Sequence, residues 1–298
     1  MMHHLNRTAT TISQGLDRAA CKLHEKKSNF LAAHRNTFAS LYNDYDKKGQ
    51  NGCLAQLQPL WKNMATDTEN EQKEKETNRI LASKLYGSKR PIINQHWEEI
   101  KNANGGSVLM CPICGIRGCE DMDHYVPQNV MPEYSVHLTN LIPLCHRCNH
   151  KKLDKWLDEN GQRIVFNAYF DAVPTRLPIS SQIISSSIDG TPEIKLLHKI
   201  ATAADAPVYH LIDRTIDKLE LMEVYRQDTE FAFRKELMRI QVRISRKTTA
   251  SDKKAEWDVI KEEYRDLLQQ NVFQTPVDLW MYTPIVNSIV MDSWVDGL

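Results

Sequence analysis

Apolar residues recur every three or four positions through both ends of the chain, which is the spacing of one helix face. From about Leu5 to Ser88 they are loosely spaced among polar residues and predict a helical region. Pro91 then opens PIINQHWEEIKNAN, which Gly105 and Gly106 follow, so this segment predicts a helix with proline in its first turn. In the last third, two stretches predict long amphipathic helices: VYHLIDRTIDKLELMEVYRQDTEFAFRKELMRIQVRISR and EWDVIKEEYRDLLQQ.

The middle of the chain carries short apolar runs instead. SVLM precedes CPICG, MDHYVP follows it, and NLIPL leads into CHRCNHKKLDKWL, where the spacing becomes helical from about His146. These runs predict two short strands followed by a helix. Farther along, QRIVFNAYFD, SQIISSSI and EIKLLHKI predict extra strands, and Asp189-Gly190 between the last two is typical of a hairpin turn.

Together these patterns predict an α+β fold that is mainly helical. We expect a helical N-terminal region over residues 1–106, a compact module over 107–160, a strand and hairpin extension over 161–200, and a helical C-terminal region over 201–298. The last segment, VDLWMYTPIVNSIVMDSWVDGL, is rich in apolar and aromatic residues. We expect it to pack on its own protein, with docking of a partner as the alternative.

Composition limits the classes of protein to consider. The chain has 298 residues, and its 38 basic and 38 acidic residues cancel, so any nucleic-acid site must be a local patch of positive charge. No apolar run is long enough for a transmembrane helix, and the N-terminus lacks an apolar leader with a small-residue cleavage site. We therefore expect a soluble, cytoplasmic protein without a membrane partner.

Four of the seven cysteines form two CxxC pairs, Cys111 with Cys114 and Cys145 with Cys148. Two such pairs can converge on one ion and complete the tetrahedral sulfur shell that structural zinc prefers. The alternative is two redox-active or merely buried cysteine pairs. Three nearby residues are rival ligands that we rank below the four cysteines: Cys119, His146 and His150.

Between and after the cysteine pairs lie residues suited to a second ion. Asp123 and Asn149 offer the oxygen ligands that magnesium or manganese prefers, and they could share a cation. His124, next to Asp123, can accept a proton from water near neutral pH. Together these residues suffice for hydrolysis of a phosphodiester bond. The alternative for His124 is a structural, hydrogen-bonding role.

Basic residues surround the second cysteine pair. Lys152 follows Asn149 by three positions, so it lies on about the same helix face and could contact a phosphate beside the metal. Arg147, Lys151 and Lys155 could bind nucleic acid, and the alternative is that all these cations are merely solvated. Two further sources of positive charge lie outside this helix: Arg163, and a stripe formed by Arg239, Arg243 and Arg246, for which a solvated helix face is the alternative.

These residues resemble the HNH endonucleases, the ββα-metal nuclease superfamily, in the subgroup whose finger is stapled by two CxxC knuckles. The resemblance covers roughly residues 108–157 and rests on CPIC, DHYVP and NLIPLCHRCNHKK, in the family's order and near its usual spacing. It implies that the central module is a ββα-metal finger. It also implies structural Zn²⁺ on the four cysteines and a catalytic Mg²⁺ or another divalent cation.

The resemblance assigns roles to single residues. His124 matches the general base that activates water, and Asn140, which opens NLIPL, matches the asparagine that fixes the loop. Asn149 matches the last motif position, where many family members have histidine and others asparagine. Asp123 matches the acidic metal ligand of the members that carry the DH pair. Lys152 would assist at the phosphate, and His137, in the loop, receives no role.

The implied function is metal-dependent endonuclease activity, with DNA as the expected substrate. More loosely, the layout is similar to HNH proteins of bacterial anti-phage defence, including the Septu-type nuclease subunit that works beside an ATPase. The chain lacks a Walker-type phosphate loop, so an ATPase would be a separate protein. Two alternatives stay open: a non-catalytic zinc module that binds nucleic acid or a partner protein, and an RNA-directed nuclease. One finger makes one nick, so a double-strand break would require a homo-oligomer or two successive events.

Overall fold

The computed structural model describes residues 2, 4–21, 25–60, 72, 75, 91–106, 109–173, 177–270 and 275–298. The fold is α+β, about 53% helical, with two small antiparallel hairpins among these residues. The chain divides into two compact units, residues 2–174 and 175–298. The predicted helical character of residues 61–90, apart from 72 and 75, and the first half of SVLM lie outside the described residues.

The first unit begins with helices, as predicted. They are α1 (Ile12–Cys21), α2 (Glu25–Ala33), α3 (Arg35–Gln50) and α4 (Pro91–Ala103). Helix α4 starts at its proline and ends just before Gly105, whose φ of +79° suits a glycine after a helix.

A short hairpin and a helix follow, which confirms the order predicted for the module. Strand β1 (Asp121–His124) pairs antiparallel with β2 (Leu141–Leu144), so that Asp121 lies opposite Leu144 and His124 opposite Leu141. Helix α5 (His146–Lys152) starts two residues after β2. The loop from 125 to 140 contains two 3-10 turns, Pro132–Tyr134 and Leu138–Asn140. Of the SVLM run, Met110 forms an isolated bridge with Gly118.

The strand predicted for QRIVFNAYFD is wrong. The segment is a loop with one isolated bridge, between Leu157 and Arg163. Asn167 Oδ1 accepts a hydrogen bond from the Tyr169 amide, and Asp171 accepts one from the Asn167 amide. These local side-chain bonds compete with a strand ladder and hold the segment in a turn.

The second unit begins with the hairpin predicted at Asp189-Gly190. Strand β3 (Ile179–Ser185) pairs antiparallel with β4 (Pro192–His198), and Gly190 has a φ of +74° in the connecting turn. Five helices follow: α6 (Pro207–Lys218), α7 (Leu221–Ser245), α8 (Ala250–Gln270), α9 (Pro276–Ile285) and α10 (Ile289–Asp296).

The first of the two predicted long helices is broken, whereas the second corresponds to α8. Glu220 has a left-handed φ of +50° and separates α6 from α7. Leu219 and Leu221, on either side of it, are both fully buried. The turn lets both leucines enter the core, which offsets the strain of the left-handed residue.

The apolar C-terminal segment packs on its own protein. Met281 and Ile285 of α9 and Met291 and Val295 of α10 join one buried cluster with residues of α7 and α8. The Trp257 indole of α8 also donates a 2.6 Å hydrogen bond to Asp292. Among the described helices, none is both long and apolar enough to cross a bilayer.

Candidate functional site

Four thiols of the first unit converge on one point. The Sγ atoms of Cys111, Cys114, Cys145 and Cys148 lie within 4.8 Å of one another, and all four residues are buried. Gly115, at a φ of +68°, turns the chain after the first pair, so that its amide donates to the Cys111 carbonyl. The arrangement is compatible with tetrahedral structural zinc. Within the described part of the chain, no other group of three or more such ligand side chains occurs, and the rivals Cys119, His146 and His150 lie outside this one.

The thiols already influence one another's protonation. Hydrogen bonds from Cys111 and the other two thiols lower the pKa of Cys114, whereas burial raises the pKa of Cys111. A bound cation would favour the thiolate form of all four. Because four sulfurs close the shell, this site has no open position for a substrate and is suited to holding the fold together.

His124 lies at the end of β1 with its side chain buried. Its Nε2 is 2.9 Å from the carbonyl oxygen of Ser135, in the loop that follows. Because a carbonyl only accepts, Nε2 carries the proton and the lone pair of the neutral ring lies on Nδ1. Burial lowers the pKa of His124 to about 4, and the positive charge of Lys152 adds to this shift. The imidazole is therefore neutral at pH 7 and can accept a proton.

Lys152 is buried between β1 and the end of α5, with only 2% of it exposed. Its ammonium donates a 2.6 Å hydrogen bond to the His124 carbonyl and lies 2.8 Å from Asp123 Oδ2. Burial raises the pKa of Asp123, and the ammonium opposes that shift. Lys152 thus points inward rather than toward solvent, and its contact with a phosphate stays a prediction.

Asn149 contacts an acid that the sequence reasoning missed. Its Nδ2 donates to Asp121 Oδ2 at 3.0 Å, so its amide oxygen faces away from that carboxylate. Asp121 and Asp123 are two residues apart on β1 and therefore lie on the same face. No hydrogen bond joins the side chains of Asn149 and Asp123. The alternation in DMD was the signal that could have identified Asp121.

Asn140 is fully buried and fixes both ends of the loop between β1 and β2. Its Oδ1 accepts from the Val126 amide at 2.8 Å and from the Tyr45 hydroxyl at 2.9 Å. Its Nδ2 donates to the carbonyls of Val126 and Tyr134, both at 3.1 Å. These bonds hold the backbone next to Ser135, whose carbonyl orients His124.

Helix α3 holds the same loop from outside the predicted module. The Tyr42 hydroxyl donates to the Glu133 carbonyl at 2.8 Å, and the Tyr42 ring stacks on His137 with centroids 4.4 Å apart. His137 Nε2 and the Thr139 hydroxyl both contact Asp46 Oδ1, at 3.1 and 2.6 Å. His137 is therefore a buried, structural histidine of the loop.

The predicted positive charges differ in their surroundings. Arg147 and Lys151 are partly exposed on α5, and Lys155 is exposed just beyond it. Arg163 forms a bidentate pair with Asp171 at 2.7 and 2.9 Å, so the expectation that it adds local positive charge is wrong. In the second unit, Glu side chains neutralise two members of the predicted arginine stripe: Glu236 pairs with Arg239, and Glu256 and Glu263 pair with Arg243.

Comparison with known protein families, with curated proteins and with solved structures finds no match to this chain.

Proposed function

We propose that the protein is a metal-dependent endonuclease of the HNH type that hydrolyses phosphodiester bonds, with DNA as its substrate. The observation that supports this most is the state of His124, which is neutral, buried and held in one tautomer by the Ser135 carbonyl. His124 lies on a hairpin that leads directly into a helix, and two of the four cysteines suited to zinc, Cys145 and Cys148, lie just before and within that helix. A base in one fixed tautomer is what proton transfer from water requires.

The oxygen ligands beside His124 fit a hard cation. Asp123 and Asn149 would hold Mg²⁺ or another divalent ion, with Asp121 on the same strand face as an additional oxygen donor. The Lys152 ammonium lies 2.8 Å from Asp123 Oδ2, so this carboxylate already attracts a positive charge. Once bound, the ion would stabilise negative charge on the attacked phosphate and on the leaving oxygen.

The protein's own groups then have distinct tasks. His124 takes the proton of the attacking water on Nδ1, because Nε2 is engaged with Ser135. Asn140 keeps the loop in place and so keeps the Ser135 carbonyl against the imidazole. Lys152 holds the end of β1 through the His124 carbonyl, and its charge adds to the burial that keeps His124 unprotonated. Arg147, Lys151 and Lys155 provide the local positive patch for the nucleic-acid backbone.

One observation favours a second candidate, a non-catalytic zinc module that binds nucleic acid or a partner. The Lys152 ammonium already compensates the charge of Asp123, so the side chain is stable without a divalent ion. Under this alternative, the cysteine cluster and the positive patch retain their roles and no cleavage occurs. A role in anti-phage defence beside a separate ATPase belongs to the first candidate and follows from the resemblance alone.

The proposal is tested with zinc-loaded protein, supercoiled plasmid and a matched structured RNA, each with Mg²⁺ or Mn²⁺ and again with a chelator added at the moment of mixing. We expect the plasmid to be converted to open circles in the presence of the ion, because one site makes one nick at a time. If only the RNA is cleaved, the proposed substrate would be RNA instead of DNA, and the proposed phosphodiester hydrolysis would stand. If folded, zinc-loaded protein binds DNA but cleaves neither nucleic acid, the non-catalytic candidate is correct.

A further inference from the structure

The outer face of α5 carries a pair of histidines that the proposed nuclease chemistry does not use. His146 and His150 are four residues apart, so their rings lie on one face of the helix, with centroids 6.4 Å apart and planes inclined by 19°. The His146 side chain is 77% exposed, and His150 is exposed as well. Two histidines at this spacing on a helix are the arrangement with which helices bind zinc.

Asp121 gives an independent indication that His146 is oriented as a metal ligand. Its Oδ2 lies 3.1 Å from Nδ1 of His146. Because the carboxylate accepts, Nδ1 carries the proton and the ring's lone pair lies on Nε2. Metal-binding histidines generally donate their second N–H to a carboxylate in this way, which fixes the ring and raises the basicity of the ligating nitrogen.

We propose that His146 and His150 bind one transition-metal ion, such as Zn²⁺, Ni²⁺ or Cu²⁺, at a surface site separate from the four cysteines. Two nitrogens that each lie about 2.1 Å from a tetrahedral ion are about 3.4 Å apart. Rings with centroids 6.4 Å apart reach that geometry by rotation of exposed side chains. Imidazole ligands select such ions over Mg²⁺, and water completes the coordination.

The site is connected to Asn149. Asp121 Oδ2 accepts hydrogen bonds from both His146 Nδ1 and Asn149 Nδ2, at 3.1 and 3.0 Å. An ion on His146 makes its N–H a stronger donor and draws Asp121 toward it, which weakens the hold on Asn149. The importance of this effect for catalysis rests on the proposed function, in which Asn149 is a ligand of the catalytic ion. The binding of a transition-metal ion to His146 and His150 does not depend on the proposed function.

Calorimetric titration with Ni²⁺ tests the site in full-length protein whose cysteines are loaded with zinc. Excess Mg²⁺ in the buffer occupies carboxylate and other oxygen-ligand sites, so that Ni²⁺ does not bind there. It does not compete for imidazole nitrogens, which bind Mg²⁺ poorly. All variants are compared in a background with His3→Ala and His4→Ala, because adjacent histidines could bind nickel themselves. We expect one Ni²⁺ per chain in this background. Zinc content and melting temperature are measured first for every variant.

The variants separate the two ligands from the residue that orients one of them. Asp121→Asn should weaken Ni²⁺ binding about tenfold, which is typical for loss of a partner behind a metal-bound histidine. His146→Gln and His150→Gln should each weaken it more, and the double variant should lose it. Asn149→Ala removes the hydrogen bond that competes for Asp121 Oδ2, so it should bind Ni²⁺ at least as tightly as the background protein.

Two results would overturn the site: no Ni²⁺ binding in the background protein, or unchanged binding in the His146→Gln, His150→Gln double variant. Asp121 accepts from His146 and Asn149 and not from the His150 side chain, so His150→Gln tests the site without disturbing Asp121. Either failure leaves the nuclease proposal intact, since the plasmid assay contains no Ni²⁺. Absence of cleavage, in turn, says nothing against this site.

Discussion

At the scale of residues, burial decides what His124 can do. An exposed histidine would be partly protonated near neutral pH, whereas burial lowers the pKa of His124 from 6.5 to about 4. The unfolded chain therefore takes up a proton before the folded one as the pH falls. The stabilisation by neutral His124 is fully present above the unfolded pKa and is lost as the pH falls toward about 4.

This pH dependence should disappear in His124→Asn, which keeps a polar side chain but cannot titrate. Between pH 7 and pH 5 we expect the parent to lose about 2 kcal/mol more unfolding free energy than the variant, from the two pKa values and linkage. Urea unfolding of both zinc-loaded proteins at the two pH values measures the difference. Equal losses would mean that folding leaves the pKa of His124 unshifted, which would contradict the effect assigned to burial.

At the scale of elements, the site depends on α3 as much as on the hairpin. Tyr45 of α3 and Asn140 are 95 residues apart, yet the tyrosine hydroxyl is one of two donors to the asparagine Oδ1. The hairpin and α5 could be predicted because their signals are local: strand-like runs, cysteine spacing and the apolar period. The hydrogen bonds from α3 could not be predicted, because no local sequence pattern indicates which distant side chain completes a buried hydrogen bond.

Tyr45→Phe should reveal this support. The ring still fills its place among Tyr134 and His137, but Asn140 loses one hydrogen bond in a buried position. We expect a loss of about 1–2 kcal/mol in unfolding free energy. Tyr209→Phe is the matched control, because its hydroxyl bonds no other described residue. An equal effect of both substitutions would contradict the role given to α3.

The cysteine cluster should hold the hairpin and α5 together. Cys111→Ser removes one of four sulfur ligands, so we expect zinc content to fall from one per chain to near zero and the first unit to lose its cooperative unfolding. Elemental analysis and near-ultraviolet circular dichroism measure both effects. Cys119→Ser is the control, since Cys119 lies outside the cluster, and it should keep its zinc. A Cys111→Ser protein that melts like the parent would show that the cluster does not stabilise the fold.

At the scale of the whole molecule, the chain forms two compact units, and the four regions expected from the sequence stay a prediction. Changes in composition along the chain separated the N-terminal helices from the cysteine module. The Tyr42 and Tyr45 hydroxyls nevertheless donate hydrogen bonds to the module, and Asp46 accepts one from Thr139. In the second unit, the break at Glu220 was hidden because the apolar period continues through it. The helix breaks at Glu220 because Leu219 and Leu221 on either side of it are both buried in the core. Local helix propensity does not predict such tertiary burial.

Under the proposed function, the balanced charge of the molecule predicts how affinity for DNA should depend on salt. Because 38 basic and 38 acidic residues cancel, the proposal assigns attraction to DNA to the patch of Arg147, Lys151 and Lys155. Three phosphate contacts give a slope of about −3 in a plot of log affinity against log salt concentration. Fluorescence anisotropy with Ca²⁺ in place of Mg²⁺ measures it. A slope twice as steep would require a second basic surface.

The measurement that tests the central claim most directly is the nicking rate of supercoiled plasmid by parent and His124→Ala, at equal zinc content and in Mg²⁺. Loss of a general base costs about a hundredfold or more in rate, so the variant should be slower by at least that factor. His210→Ala, the same substitution in the second unit, should nick like the parent. Nicking by His124→Ala at the parental rate would contradict the claim that His124 is the base.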